Sequence, residues 1–214
     1  PDWVLQRPAA PQTPQRPLSP SGLGGAKALG SDLGIDPDHA LLRGTILHRL
    51  LELLPQWPKE DWPQLPEAIR TETEALFPDS VSDDEAAELF NHARAILASP
   101  ELAEIQTSGA LLEVELTGPA AELGGRIVHG TIDRLTVTPE RVLAVDYKSN
   151  TTVPSTTAEV PEGILRQMGA YAALLEQIYP GRAIETAILW TATGTLMRLP
   201  TDMVRAALAA TPIP

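Results

Sequence analysis

The run Val142-Leu-Ala-Val145 ends in Asp146-Tyr147-Lys148, an acid and a base two residues apart. A short apolar run with β-branched ends reads as a buried strand. Side chains on a strand alternate faces, so Asp146 and Lys148 project from the same side. Keeping both charges at the end of a core strand is costly, and the usual reasons are a mutual ion pair, a metal or a charged substrate. A solvated strand end is the plainer alternative, so the choice rests on what else converges there. Candidates are Asp133, which interrupts an apolar or neutral stripe, Glu113 and Glu115 on a shared strand face, His48 in a helix, and Gln167 and Tyr171 at helical i, i+4 spacing.

Several elements must position these residues. Leu41, Leu42, Ile46, Leu47, Leu50, Leu51, Leu53 and Leu54 recur at helical spacing from Asp38 until Pro55 stops the pattern. Two further helices are expected over 63–77 and 83–98, the second opened by a Ser82…Glu85 capping box in which each residue satisfies the other's backbone amide. After Gly109 the period changes to two. Leu111–Leu116 reads as a first strand, and Arg126–Thr138 as a second with Ile127, His129, Thr131, Asp133 and Leu135 on one face. The run ending at Lys148 is the third strand of this meander. A helix over 162–179, strands over 185–192 and 195–199, and a terminal helix over 202–210 complete the chain. Residues 1–36, rich in Pro and Gly, read as a linker, leaving 37–214 as the domain. Gly22-Leu-Gly-Gly25-Ala-Lys27 lacks both the Gly-Lys-Ser/Thr ending and a preceding strand, so no ATP site is expected.

Composition narrows the chemistry. With 214 residues there is room for one ordinary domain and a tail. Cysteine is absent, which excludes disulfides, thiolate-bound zinc and iron–sulfur clusters; any metal must be held by oxygen and imidazole. No apolar run suits a membrane span and no leader is visible, so a soluble, cytoplasmic protein is expected. The chain starts with Pro1, which suggests a piece of a longer polypeptide. The formal charge is −12, from 16 basic and 28 acidic residues, the wrong sign for capturing nucleic acid by phosphate neutralisation alone. Acids cluster between Lys59 and Glu104, which reads as a solvated helical surface turned away from any polyanion.

The order helix, three strands, helix, strand, with Gly44-Thr-Ile-Leu-His48-Arg-Leu-Leu-Glu52, Glu113, Gly130-Thr-Ile-Asp133-Arg-Leu, Val145-Asp146-Tyr147-Lys148-Ser-Asn and Gln167-Met-Gly-Ala-Tyr171, resembles the PD-(D/E)XK nuclease superfamily. Within it, the chain is most similar to RecB-like nuclease domains, and specifically to the C-terminal nuclease domain of the AddA subunit of bacterial AddAB helicase–nucleases. The resemblance implies an α/β restriction-endonuclease-like αβββαβ core, a mixed central sheet flanked by helices, here with an inserted helical segment.

It also implies a metal-dependent DNA exonuclease in double-strand break repair and recombination. Its substrate would be single-stranded DNA delivered by a helicase domain on the same chain, with an AddB-like partner subunit. Phosphodiester hydrolysis needs an activated water and charge relief on the phosphoryl oxygens, which a hard divalent cation on carboxylates provides. Asp133 and Asp146 suit that cation. By the resemblance, His48 and the Tyr147 carbonyl complete its ligands, with Mg²⁺ as the metal and Mn²⁺ able to substitute. Glu113, preferred over Glu115, stands beside them, Lys148 stabilises developing charge or orients water, and Gln167 and Tyr171 position the DNA backbone. The alternative is a nuclease fold without catalysis that guides a strand or docks a protein partner.

Overall fold

The computed structural model describes residues 16–26, 37–57, 59–64, 81–107 and 109–212. A five-stranded mixed sheet in sequence order runs through it: β1 (Leu111–Ala120), β2 (Arg126–Val137), β3 (Arg141–Lys148), β4 (Ala183–Trp190) and β5 (Thr195–Leu199). Neighbours are antiparallel except β3 and β4, which are parallel. A parallel pair needs a crossover, and α3 (Glu162–Ile178) supplies it. The chain is therefore an α/β fold, and among the described residues the strands and the helices around them follow the expected order.

Both faces of β3 are covered, which explains its unbroken apolar run. On one face Val142, Ala144, Ile188 and Trp190 pack with Ile164, Met168 and Leu175 of α3 and with Val204 and Leu208 of α4 (Thr201–Ala209). On the other, Leu143, Val145, Tyr147 and Leu189 pack under Leu47, Leu50 and Leu51 of α1 (Pro37–Leu53) and Phe90, Ala93 and Leu97 of α2 (Asp83–Ala98). Each fully buried aliphatic side chain stabilises this arrangement by about 1.5–3 kcal/mol.

Three details differ from the sequence reading. In β2 the buried side chains are Val128, Ile132, Arg134 and Leu135, while Ile127 is 42% exposed, so the stripe from Ile127 to Leu135 is not a single packed face. The Ser82 hydroxyl accepts from the Glu85 amide at 3.3 Å as the capping box requires. The Glu85 carboxylate, however, meets Arg43 at 2.8 Å and His39 at 3.0 Å across to α1, because a guanidinium competes better for it than a backbone amide. Residues 16–26, inside the stretch read as a linker, lie packed on β2 and α3. The helix expected over 63–77 falls almost entirely outside the described residues; within them, Lys59–Gln64 is a short 3₁₀ segment.

Candidate active site

β2 and β3 pair from Val137↔Val142 to Arg134↔Val145, and there the ladder stops. β3 continues beside β4 as far as Lys148↔Trp190, so the two central strands fork and a cleft opens between them. Asp133 and Asp146 are the first residues past the fork on either side. The Asp133 carboxylate accepts a hydrogen bond from the Tyr147 backbone N–H, supplying the acceptor that the lost ladder would have provided.

Asp146 is only 3% exposed. Its Oδ1 accepts from Gln167 Nε2 at 2.6 Å, and its Oδ2 lies 2.5 Å from Lys148 Nζ. The alternation of β3 therefore does bring the acid and the base to one side. Lys148 also donates to Gln167 Oε1 at 3.2 Å, so the amide bridges both charges. Gln167 Nε2 lies 3.2 Å from the Tyr171 hydroxyl one helical turn along α3, and that hydroxyl donates to the Thr131 carbonyl at 2.6 Å. The network thus ties β3 to β2 through α3.

His48, on α1, approaches from the opposite wall. Its ring packs edge-on against Tyr147 with centroids 5.6 Å apart, and Nδ1 lies 3.9 Å from Asp133 Oδ1. Burial chiefly lowers the His48 pKa, which favours the neutral imidazole that a metal requires. Burial, and then the charge of Asp146, pushes the Asp133 carboxyl up to about 8. Two carboxylates facing one enclosed gap repel each other, and a cation between them relieves that cost.

The two candidate acids of β1 separate clearly. Glu115 pairs with Thr131 in the regular ladder. Glu113 stands opposite Asp133 where the ladder is interrupted, and its backbone has φ +47°, a left-handed conformation that costs a non-glycine residue free energy. Burial and the neighbouring Glu52 of α1 raise its carboxyl, and its charge reaches Asp133, Tyr147 and Tyr171.

A cleft of about 450 Å³ is lined by His48, Asp133, Asp146, Tyr147, Lys148, Gln167 and Tyr171. Its donors, carboxylate and imidazole, suit a hard or borderline divalent cation. Asp146 Oδ2 is buried without a hydrogen bond, meeting only the lysine charge, and so retains capacity for a cation. Among the described residues, no three His, Asp or Glu side chains converge closely enough to enclose an ion, because Asp146 is drawn to Lys148 and Gln167. The donor set fits a metal, which would compete with Lys148 for Asp146 Oδ2.

Residues 25–203 match the sequence profile of the PD-(D/E)XK nuclease superfamily. The chain belongs to this superfamily. Superfamily nucleases generally use divalent metal ions, in keeping with the oxygen and nitrogen donors at the fork. The chain is also similar to the CRISPR-associated exonuclease Cas4/endonuclease Cas1 fusion of Myxococcus xanthus (strain DK1622), 29% identical over 121 residues. That match covers 56% of this chain and 20% of the relative, so the chain spans about a fifth of that protein.

The sequence reading missed one wall of the superfamily cleft. Ser19, Pro20 and Ser21 line it together with His129, Gly130 and Thr131. A Pro- and Ser-rich stretch carries no periodic signal, and only its contacts reveal where it lies. The Glu52 and Arg49 charges acting on Glu113 were equally hidden, since α1 and β1 are far apart in sequence.

Proposed function

We propose that this chain is a Mg²⁺-dependent deoxyribonuclease module that hydrolyses phosphodiester bonds of single-stranded DNA as an exonuclease. The observation that carries this reading is the fork itself, with Asp133 and Asp146 facing one gap and Lys148 beside them. In the proposed roles, Asp133, Asp146, His48 and the Tyr147 carbonyl hold the ion, which when bound activates water and neutralises phosphoryl charge. Lys148 places a positive charge where the phosphoryl oxygens gain negative charge. Gln167 keeps Asp146 and Lys148 in register and, with Tyr171, holds the DNA backbone. Glu113 adds a carboxylate at the rim of the site. His48 stays neutral at neutral pH because burial disfavours its charged form.

The resemblance to RecB-like and AddA-type domains supports a further placement. In it, an upstream helicase on the same polypeptide feeds the strand, an AddB-like subunit is the partner, and the process is double-strand break repair and recombination. The charge of −12 supports delivery over capture, since this chain gains little from counterion release.

The test is incubation with labelled single-stranded DNA in Mg²⁺, in Mn²⁺ and in EDTA. Metal-dependent release of nucleotides from an end supports the reading; no cleavage in either metal defeats it. A second reading, a guide module without catalysis, is favoured by one observation: no three ligating side chains close together among the described residues. It predicts DNA binding that EDTA leaves unchanged.

A further inference from the structure

Beyond Arg134, the edge of β2 is no longer paired with β3. The segment 16–26 takes that edge. The Leu18 N–H donates to the Ile127 carbonyl at 2.8 Å, and the Leu18 carbonyl accepts from His129 N–H at 2.9 Å, a parallel bridge to Val128. Pro20 is buried, seated over Gly130; a Cβ at Gly130 would lie 2.6 Å from Pro20 Cγ, so only glycine admits this approach. Leu23 is 7% exposed in the core beneath α3. Its carbonyl accepts from Arg166 at 3.3 Å, and the Ala26 carbonyl accepts from the Gly163 N–H at 3.0 Å. The start of α3, which has no side-chain cap, is thereby capped by this segment. Gly163 permits the approach, since a Cβ there would lie 2.9 Å from the Gly25 and Ala26 carbonyls.

We propose that residues 16–26 are a fixed wall of the cleft that restricts it to single strands. The inference rests on the nuclease reading. The wall stands across the fork from Asp146 and Lys148, with Ser19 and Ser21 facing the space between. The acid to be reached is 3% exposed at the bottom of a cleft of about 450 Å³. That lies in the range of about 300–1,000 Å³ that holds one small ligand. One nucleotide of an unpaired strand enters such a space, whereas the bases of a duplex are stacked and paired to a second strand that must come in alongside the first, and this second strand meets the wall. The segment is anchored at both ends by backbone hydrogen bonds and in the middle by Pro20 and Leu23. It is part of the scaffold and does not swing aside for substrate.

Two variants test this in the full chain. Leu18→Pro combined with Leu23→Ser removes the bridging N–H and the buried anchor, detaching the wall without touching the fork. Thermal melts must show one cooperative transition, as in the parent. Leu18→Cys with Val128→Cys locks the wall instead: paired strands put Cα atoms about 5 Å apart, within disulfide reach, and the chain has no other cysteine. Cleavage of one labelled oligonucleotide is compared single-stranded and annealed. The detached variant is expected to raise the duplex rate at least tenfold relative to the single-strand rate, and the oxidised lock to cleave single strands at the parent rate. An unchanged ratio in the detached variant overturns the proposal. So does an oxidised lock that is inactive on single strands and recovers on reduction, which would make the segment a lid. If the parent cleaves neither substrate, the nuclease reading itself fails, and this inference with it.

Discussion

Gln167 Nε2 donates to Asp146 Oδ1 at 2.6 Å while Gln167 Oε1 accepts from Lys148 Nζ at 3.2 Å, so one amide fixes the acid and the base at once. A neutral amide offers a donor and an acceptor side by side, whereas an ionised carboxylate offers acceptors alone. Gln167→Glu would set a second buried carboxylate against Asp146. The expected result is a loss of cleavage of roughly 10²-fold or more, comparable to losing one preorganised donor. Gln167→Ala is expected to lose less. Equal activity of the Glu variant and the parent in single-turnover assays would remove Gln167 from this role.

Asp146 is the natural residue with which to test the metal. Asp146→Asn preserves shape and, with its Oδ1 toward Gln167 Nε2, the Gln167 contact, but removes the charge. Calorimetric titration with Mn²⁺ is expected to show binding lost or weakened by at least tenfold, and circular dichroism an intact fold. Undiminished Mn²⁺ affinity would remove Asp146 from the ligand set.

Lys148 should behave in the opposite sense. Its ammonium lies 2.5 Å from Asp146 Oδ2, where it competes with an incoming cation. Lys148→Ala is therefore expected to bind Mn²⁺ as well as the parent or more tightly, while cleavage falls by roughly 10²–10³. Substrate affinity should change far less than turnover. Near-parent cleavage would leave the lysine as a mere ion-pair partner of Asp146.

The Asp133 carboxyl gives a pH test without substrate. Burial and Asp146 raise it to about 8 from the ordinary 3.8. Between those values the folded protein holds a proton that the unfolded chain has released. Stability is linked to proton uptake, so in metal-free buffer it should fall as pH rises through that window. Asp133→Asn, which cannot ionise, is expected to flatten this dependence in thermal melts between pH 5 and pH 9, scanned in roughly one-unit steps as linkage analysis requires. Mn²⁺ should also displace the proton, so binding enthalpy near neutral pH should vary with the ionisation heat of the buffer. A parent whose stability is flat with pH in EDTA would contradict the raised carboxyl.

What the sequence determined by itself was local. A period of two in Val142–Lys148 puts Asp146 and Lys148 on one side, and a period of 3.6 puts Gln167 and Tyr171 on one flank of α3; both follow from backbone geometry within a few residues, and both pairs meet in the structure. The order of strands and helices was legible for the same reason, since alternation in Leu111–Leu116 and the leucines of α1 each encode a local repeat. Tertiary structure alone decided what depends on residues distant along the chain. The left-handed turn of Glu113 opposite Asp133 distinguishes it from Glu115, although both lie at equivalent positions in the alternation. The Asp133 pKa is set by its burial beside Asp146. Residues 16–26, aperiodic and proline-rich, find their place only because β3 leaves an edge of β2 unpaired and Gly130 has no side chain to obstruct Pro20. Hydrogen bonds between distant backbones leave no periodic trace in a sequence.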